Sequence, residues 1–249
     1  MNGILSCRNL SKHFGAVRAV NNVSLEVSAG ALHTVIGPNG AGKTTLFNCI
    51  TGELAPSAGE VVFGGARISG RQPHELPAFG IARSFQRTSV FTKLTVAENV
   101  WVSTFPKLAG GRLELLRHAD SHPEIARTID ATLEQVGLRQ YADTPAALLA
   151  HGDQRLLDLA IALAPQPQLL LLDEPMAGLS RSDTHRIMHL VEGLKRRYTL
   201  LLIEHKMDVV MRISDRITVM YFGEVLAEGP PEEVRANPKV REAYLGRRA

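Results

Sequence analysis

The sequence predicts an α/β fold: a parallel sheet covered on both faces, a small antiparallel β layer beside it, and an inserted helical subdomain. Three observations carry this. Apolar runs recur and stop at polar or glycine residues: Ala31–Ile36 before Gly37, Leu169–Leu172 before Asp173, Thr199–Ile203 before Glu204, Arg216–Met220 before Tyr221. Strands apolar on both faces mark a parallel sheet buried between helices. Leu25–Val27 and Glu60–Phe63 are short, alternating and close to glycines, which suits an antiparallel layer. Thr95–Ala164 has helical patterns and no convincing strand.

The helices fit between the strands. Lys43–Thr51 follows a glycine-rich turn and stops before Gly52. In Pro123–Val136, Ile125, Ile129, Leu133 and Val136 form one apolar stripe at helical spacing. Asp183–Arg197 repeats the pattern with Ile187, Leu190, Val191 and Leu194. The expected organisation is one domain over residues 1–249, with a core of about 1–87 and 165–249 and a helical subdomain of about 88–164.

Composition excludes several classes. With 45% hydrophobic residues over 249 positions, the chain can bury a core and is not disordered. Two cysteines, Cys7 and Cys49, cannot staple a secreted scaffold and form no CxxC pair, which points to a reducing cytoplasm. No apolar run is long enough to span a membrane. Met1–Ser11 lacks the apolar core of a secretory signal peptide. A net charge of +3 is a weak excess with no basic stripe, so no nucleic-acid partner is expected.

The strongest chemical signal is Gly37-Pro38-Asn39-Gly40-Ala41-Gly42-Lys43-Thr44, followed by Thr45. It matches G-x-x-x-x-G-K-[ST] between a strand and a helix. Its glycines let backbone N–H groups approach phosphate oxygens, and the helix start points further N–H groups at the anion. Lys43 reaches the β- and γ-phosphates, and the Thr44 hydroxyl can ligate Mg²⁺. The loop needs a partner carboxylate at a strand end. Leu169–Leu172 runs into Asp173, which suits the Mg²⁺ shell, and Glu174, which suits the activation of water.

Further segments fall in a telling order: Phe85-Gln86, Leu149-Ala150-His151-Gly152-Asp153-Gln154-Arg155, Ala177-Gly178-Leu179-Ser180 and Ile203-Glu204-His205. Over essentially the whole chain this order resembles the ATPase subunit of an ATP-binding cassette (ABC) transporter, a P-loop NTPase. It looks most like the ATPases of branched-chain amino acid uptake systems. Arg83–Arg87, Leu94–Val100, Leu202–His205 and the tail Ala227–Pro230 and Glu242–Gly246 carry that closer likeness.

The resemblance implies specific roles. Phe14 stacks on adenine; the alternative is a core aromatic. Gln86 touches Mg²⁺ or the attacking water, and His205 contacts the γ-phosphate and holds Glu174. Leu149, Ala150, His151, Gly152 and Asp153 form the signature loop, and Ser180 ends the D-loop; both face the ATP of a second ATPase subunit, identical or related. ATP and Mg²⁺ are the implied cofactors. The implied partners are membrane permease subunits and, indirectly, a solute-binding protein, on the cytoplasmic face of the cell membrane. Thr88–Trp101 would receive the permease, with Val90, Phe91 and Trp101 either exposed for docking or packed internally.

Two departures stand out. Ala150 replaces the usual serine of the signature loop, leaving backbone donation from Gly152 and the helix start near Asp153. Ser180 replaces the usual aspartate of the D-loop. They motivate one alternative, a weakly hydrolysing nucleotide-binding scaffold. The other is a soluble ABC ATPase acting on ribosomes or DNA, which the single cassette and the lack of a heptad run disfavour.

Overall fold

The computed structural model describes residues 3–84, 90–108, 123–195 and 197–245. Its strands are β1 (Leu5–Phe14), β2 (Val17–Val27), β3 (Leu32–Ile36), β4 (Ala58–Phe63), β5 (Ala66–Arg67), β6 (Ile81–Ser84), β7 (Leu169–Asp173), β8 (Thr199–Ile203), β9 (Arg216–Tyr221) and β10 (Glu224–Gly229). Its helices are α1 (Lys43–Ile50), α2 (Val96–Leu108), α3 (Pro123–Val136), α4 (His151–Leu163), α5 (Arg181–Leu194), α6 (Met207–Ile213), α7 (Pro231–Ala236) and α8 (Pro238–Leu245).

Two sheets form. One has the order β10-β9-β3-β8-β7-β6, parallel except for β10, which pairs antiparallel with β9. The other, β2-β1-β4-β5, is antiparallel. The four apolar runs became β3, β7, β8 and β9, and the two alternating stretches lie in β2 and β4, on either side of β1.

Alternation along the central strands divides the core. Leu170, Leu172, Leu200 and Leu202 point to one face, where they share an apolar cluster with residues of α3, α4, α5 and α6. Leu169, Leu171, Leu201 and Ile203 point to the other, where Leu46 and Phe47 of α1 and Val23, Leu25 and Val61 of the antiparallel sheet meet them. Each such fully buried side chain contributes roughly 1.5–3 kcal/mol relative to exposure. Ile36, Ile217 and Val219 form a third cluster with Val210, Val234 and Val240. Two buried polar pairs tie β3 to its neighbours: His33 Nε2 lies 2.7 Å from Thr218 Oγ1, and Thr34 Oγ1 lies 2.6 Å from Ser214 Oγ.

The helical stretch begins with a capping box. Thr95 N–H donates to Glu98 Oε2 at 2.7 Å, and Glu98 N–H donates to Thr95 Oγ1 at 3.2 Å. Asn99 then ties the preceding loop, accepting from Phe91 N–H at 2.8 Å and donating to Phe91 and Thr95 carbonyls. This accounts physically for Leu94–Val100. Val90 and Trp101 pack against the apolar cluster below α2, so the internal-packing alternative is the right one for both. Only Phe91 of that trio is exposed. Among the described residues, no helix is long and apolar enough to cross a membrane.

Candidate functional site

β3 lies between β9 and β8, with β7 beyond, and the carboxyl ends of these parallel strands deliver one residue group each. From β3 the chain enters Gly37 and turns into α1. Gly42 caps α1 at φ +98, and a Cβ there would collide with the Ala19 carbonyl, so only glycine fits. Gly37 and Ala41 are buried, Pro38 and Thr45 half-buried, and Asn39, Gly40 and Thr44 exposed. Lys43 is buried. Its Nζ donates to the Gly37 carbonyl at 2.7 Å and the Pro38 carbonyl at 3.1 Å. Burial pushes its pKa below the ordinary lysine value, against the opposing fields of Glu174 and Asp173. Those fields place the ammonium and both carboxylates in one electrostatic neighbourhood.

Asp173 ends β7 and is 1% exposed. Arg83 Nη2, from the neighbouring strand β6, donates to Asp173 Oδ2 at 2.8 Å. Arg83 also donates to Asn48 Oδ1 at 2.8 Å, Thr51 Oγ1 at 2.9 Å and Glu53 Oε1 at 3.1 Å, so it joins the end of α1 to β7. The oxygen donors of Thr44 and Asp173 are hard ligands of the kind Mg²⁺ prefers.

Glu174 adopts a left-handed φ of +47, and its N–H donates to the Ile203 carbonyl of β8 at 3.0 Å. Its Oε2 lies 3.9 Å from His205 Nδ1. The same ring nitrogen lies 3.5 Å from Oε2 of Glu204, whose carboxylate is fully buried. Glu204 Oε2 also accepts the backbone N–H of His205 at 2.7 Å and of Lys206 at 3.3 Å. Its Oε1 has no hydrogen-bond partner among the described residues. Lys206 Nζ in turn donates to the Met176 carbonyl at 2.9 Å and Thr184 Oγ1 at 3.0 Å, linking the turns after β7 and β8.

Phe14 ends β1 and is 49% exposed, which sets aside the core-aromatic alternative. Lys12 Nζ sits 5.3 Å from its ring centroid. Gln86 lies outside the described residues.

The second set of residues sits at two helix starts away from the strand ends. Leu149 is buried, Ala150 is the N-cap of α4 with no side-chain hydrogen bond, and α4 begins at His151, earlier than the expected start near Asp153. His151 is exposed and Gly152 buried. A Cβ on Gly152 would stand 2.5 Å from Asp183 Oδ1. Asp153 accepts from Arg186 Nη2 at 2.9 Å, and the Arg186 Nη1 lies 3.5 Å from Asp183 Oδ1. Ser180 caps α5: its Oγ accepts the Asp183 N–H at 3.1 Å and donates to Asp183 Oδ2 at 2.6 Å. Ser180, Asp183, Arg186 and Asp153 thus stitch the starts of α5 and α4 together.

Four charged residues around these strand ends were given no role from sequence, although three of them lie in the quoted segments: Arg83, Glu204 and Arg155, with Lys206 the fourth. A charge inside a short strand that starts apolar, as in Ile81-Ala82-Arg83-Ser84, is the signal that could have found Arg83.

This geometry defines a nucleotide-binding cassette, and comparison with known proteins agrees. The ABC transporter family model matches residues 20–177, and a model for the branched-chain amino acid ATP-binding cassette transporter matches residues 224–249. The chain belongs to the ABC transporter family as an ATP-binding, ATP-hydrolysing subunit. It is 41% identical to the Escherichia coli high-affinity branched-chain amino acid transport ATP-binding protein LivG, covering 98% of each chain. A solved ATP-binding cassette of an ABC transporter in its ADP conformation superposes with a TM-score of 0.87 at 34% identity, covering 99% of this chain and 100% of that one. A dimeric cassette in a post-hydrolysis state with ADP and Pi gives 0.78 at 25% identity, covering 91% and 98%.

Proposed function

We propose that this chain is the ATPase of a branched-chain amino acid importer, peripheral on the cytoplasmic face of the membrane, working as one of two ATPase subunits beside membrane permeases. A solute-binding protein feeds the permeases. The observation that carries the site reading is the gathering of Lys43, Asp173, Glu174 and His205 at neighbouring strand ends. In this reading the chain is a single ABC ATPase domain, with the helical subdomain of about residues 88–164 facing the permease.

Phe14 offers a planar face to adenine. Gly37–Thr45 wraps the phosphates with backbone N–H groups, and Lys43 exchanges its two carbonyl contacts for phosphate oxygens. Thr44, Asp173 and Gln86 would hold Mg²⁺, which neutralises phosphate charge when bound. Glu174 takes the proton of the attacking water, and His205, 3.9 Å away, steadies that carboxylate and contacts the γ-phosphate. Across the dimer, Leu149–Asp153 presents the bare start of α4 to the partner's ATP, and Ser180 stands at the same seam.

The test is ATP-driven uptake of leucine, isoleucine and valine into vesicles holding the assembled transporter, against urea and small amides. Uptake of the branched-chain set alone is expected, and Lys43→Ala should abolish it by removing a charge-assisted contact worth roughly 1.5–3 kcal/mol. Preference for another solute would overturn the solute assignment, and wild-type nucleotide affinity in Lys43→Ala would overturn the phosphate-loop assignment.

A further inference from the structure

Arg155 lies on the second turn of α4 and is 4% exposed. Its guanidinium enters the turn after β7. Nη2 donates to the Asp173 carbonyl at 3.2 Å and the Glu174 carbonyl at 2.8 Å, and Nε donates to the Pro175 carbonyl at 3.0 Å. Asp158, also buried, brings Oδ2 to 3.8 Å from Nη1 and balances the charge. One planar fork therefore grips three successive carbonyls, which a lysine ammonium on a flexible stem cannot match.

The gripped turn is one the chain would not choose unaided. Glu174 holds φ at +47, a region that a side chain with a Cβ disfavours. Three bonds to its backbone pin it there: its N–H donates to Ile203 on β8, and its carbonyl accepts from Ala177 N–H at 3.1 Å within the turn and from Arg155 on α4 at 2.8 Å. From this conformation the carboxylate reaches 3.9 Å from His205.

We propose that Arg155 is a positioning residue for Glu174, fixing the strained turn that aims the carboxylate and tying it rigidly to the helix that begins at the signature loop. The inference rests on the reading of Glu174 as the base. Arg155 follows the N-cap Ala150 by about one and a half turns of a helix. A shift of that helix start therefore moves the grip on Glu174.

The experiment compares Arg155→Met, Arg155→Lys and Glu174→Gln, alone and with Arg155→Met added to Glu174→Gln, in the assembled transporter. Expected for Arg155→Met is a kcat at least tenfold lower with KM for ATP within twofold of wild type, and an intermediate kcat for Arg155→Lys. In the Glu174→Gln background, Arg155→Met should change the residual rate and ATP affinity by less than twofold, since Arg155 acts through the carboxylate already removed. Should Arg155→Met not fold, Arg155→Lys and Arg155→Gln carry the same comparison. The proposal is overturned if kcat is unchanged in the Arg155 variants while Glu174→Gln has lost turnover. It is also overturned if Arg155→Met lowers ATP affinity and kcat together, or lowers the Glu174→Gln residual rate by its full factor. Wild-type turnover in Glu174→Gln would instead remove the base assignment beneath it.

Discussion

The half of the site at the strand ends and the half at the helix starts are built on different principles. Lys43, Asp173 and Glu204 are buried, and each is held by named charged or backbone partners on a neighbouring strand or loop. Ala150, His151 and Ser180 are exposed, and their surroundings are joined by one surface stitch through Asp183 and Arg186. Charges that must act on a reacting phosphate need fixed positions in a low-dielectric setting. Groups that meet a partner need only offer backbone N–H donors at a helix start. Both departures from the family pattern, at Ala150 and Ser180, fall in the second half, where a side chain can change without stranding a buried charge.

Four experiments would sharpen or break this contrast. The largest effect is expected from Glu174→Gln, which keeps size and ATP binding but cannot accept a proton. Turnover should fall by about 10² to 10⁴, and the closed ATP-bound dimer should accumulate in size-exclusion chromatography. Next is Arg83→Met. It leaves Asp173 buried without its ion-pair partner, and breaking a buried pair this way costs about 3–5 kcal/mol, read as a loss in denaturant unfolding. No loss there would mean that the strand-end charges do not depend on their partners.

The third experiment is titration with acid. His33 is buried near the start of β3, beside Arg216 and Thr218 of β9. Burial lowers its pKa from 6.5 to about 4, with Arg216 adding to the lowering and Glu228 and the Glu26 backbone opposing it. The folded state therefore prefers the neutral ring. Its contribution is complete above pH 6.5 and is lost as the pH falls through about 4, a swing of roughly 3 kcal/mol. Unfolding measured between these pH values should show that slope in the wild type and a flatter one in His33→Gln. The smallest effect belongs to the helix-start half. Ala150→Ser adds a hydroxyl contact worth at most about 1.5–3 kcal/mol, reduced by whatever the backbone N–H groups at the helix start supply. In a mixed pair of ATPases the rate gain should vanish when the partner's phosphate-loop lysine is removed. An unchanged rate would show the serine to be dispensable here.

The sequence made the central sheet legible where both faces of a strand are apolar, as in Leu169–Leu172 and Thr199–Ile203. It hid β6, since Arg83 sits inside that strand and finds its partners only after folding. It hid β1 because register shifts between Cys7 and Leu10 and between Leu10 and Lys12 break the alternation, with Asn9 at φ +49. The helix α5 came out two residues early at Arg181, because Ser180 rather than a later residue supplies the cap. At the site, motif spacing pointed to Lys43, Asp173 and Glu174, and the family resemblance pointed to His205, each from a short local pattern. It could not find Arg155 or Glu204 in their holding roles, because those depend on which turn each side chain meets across the fold.

The two thiols have a practical consequence. Cys7 and Cys49 are both buried, and desolvation pushes their pKa values up to about 12 and about 11. The thiolate is the nucleophile, so neither side chain reacts with a maleimide while the fold is closed. Cys49 lies in the last turn of α1, the helix that starts at the phosphate loop, and Cys7 on β1 of the antiparallel sheet. Their labelling rates are therefore two built-in clocks for local opening. Nucleotide that grips the loop should slow the α1 clock, by an amount that reads its binding free energy without any engineered probe.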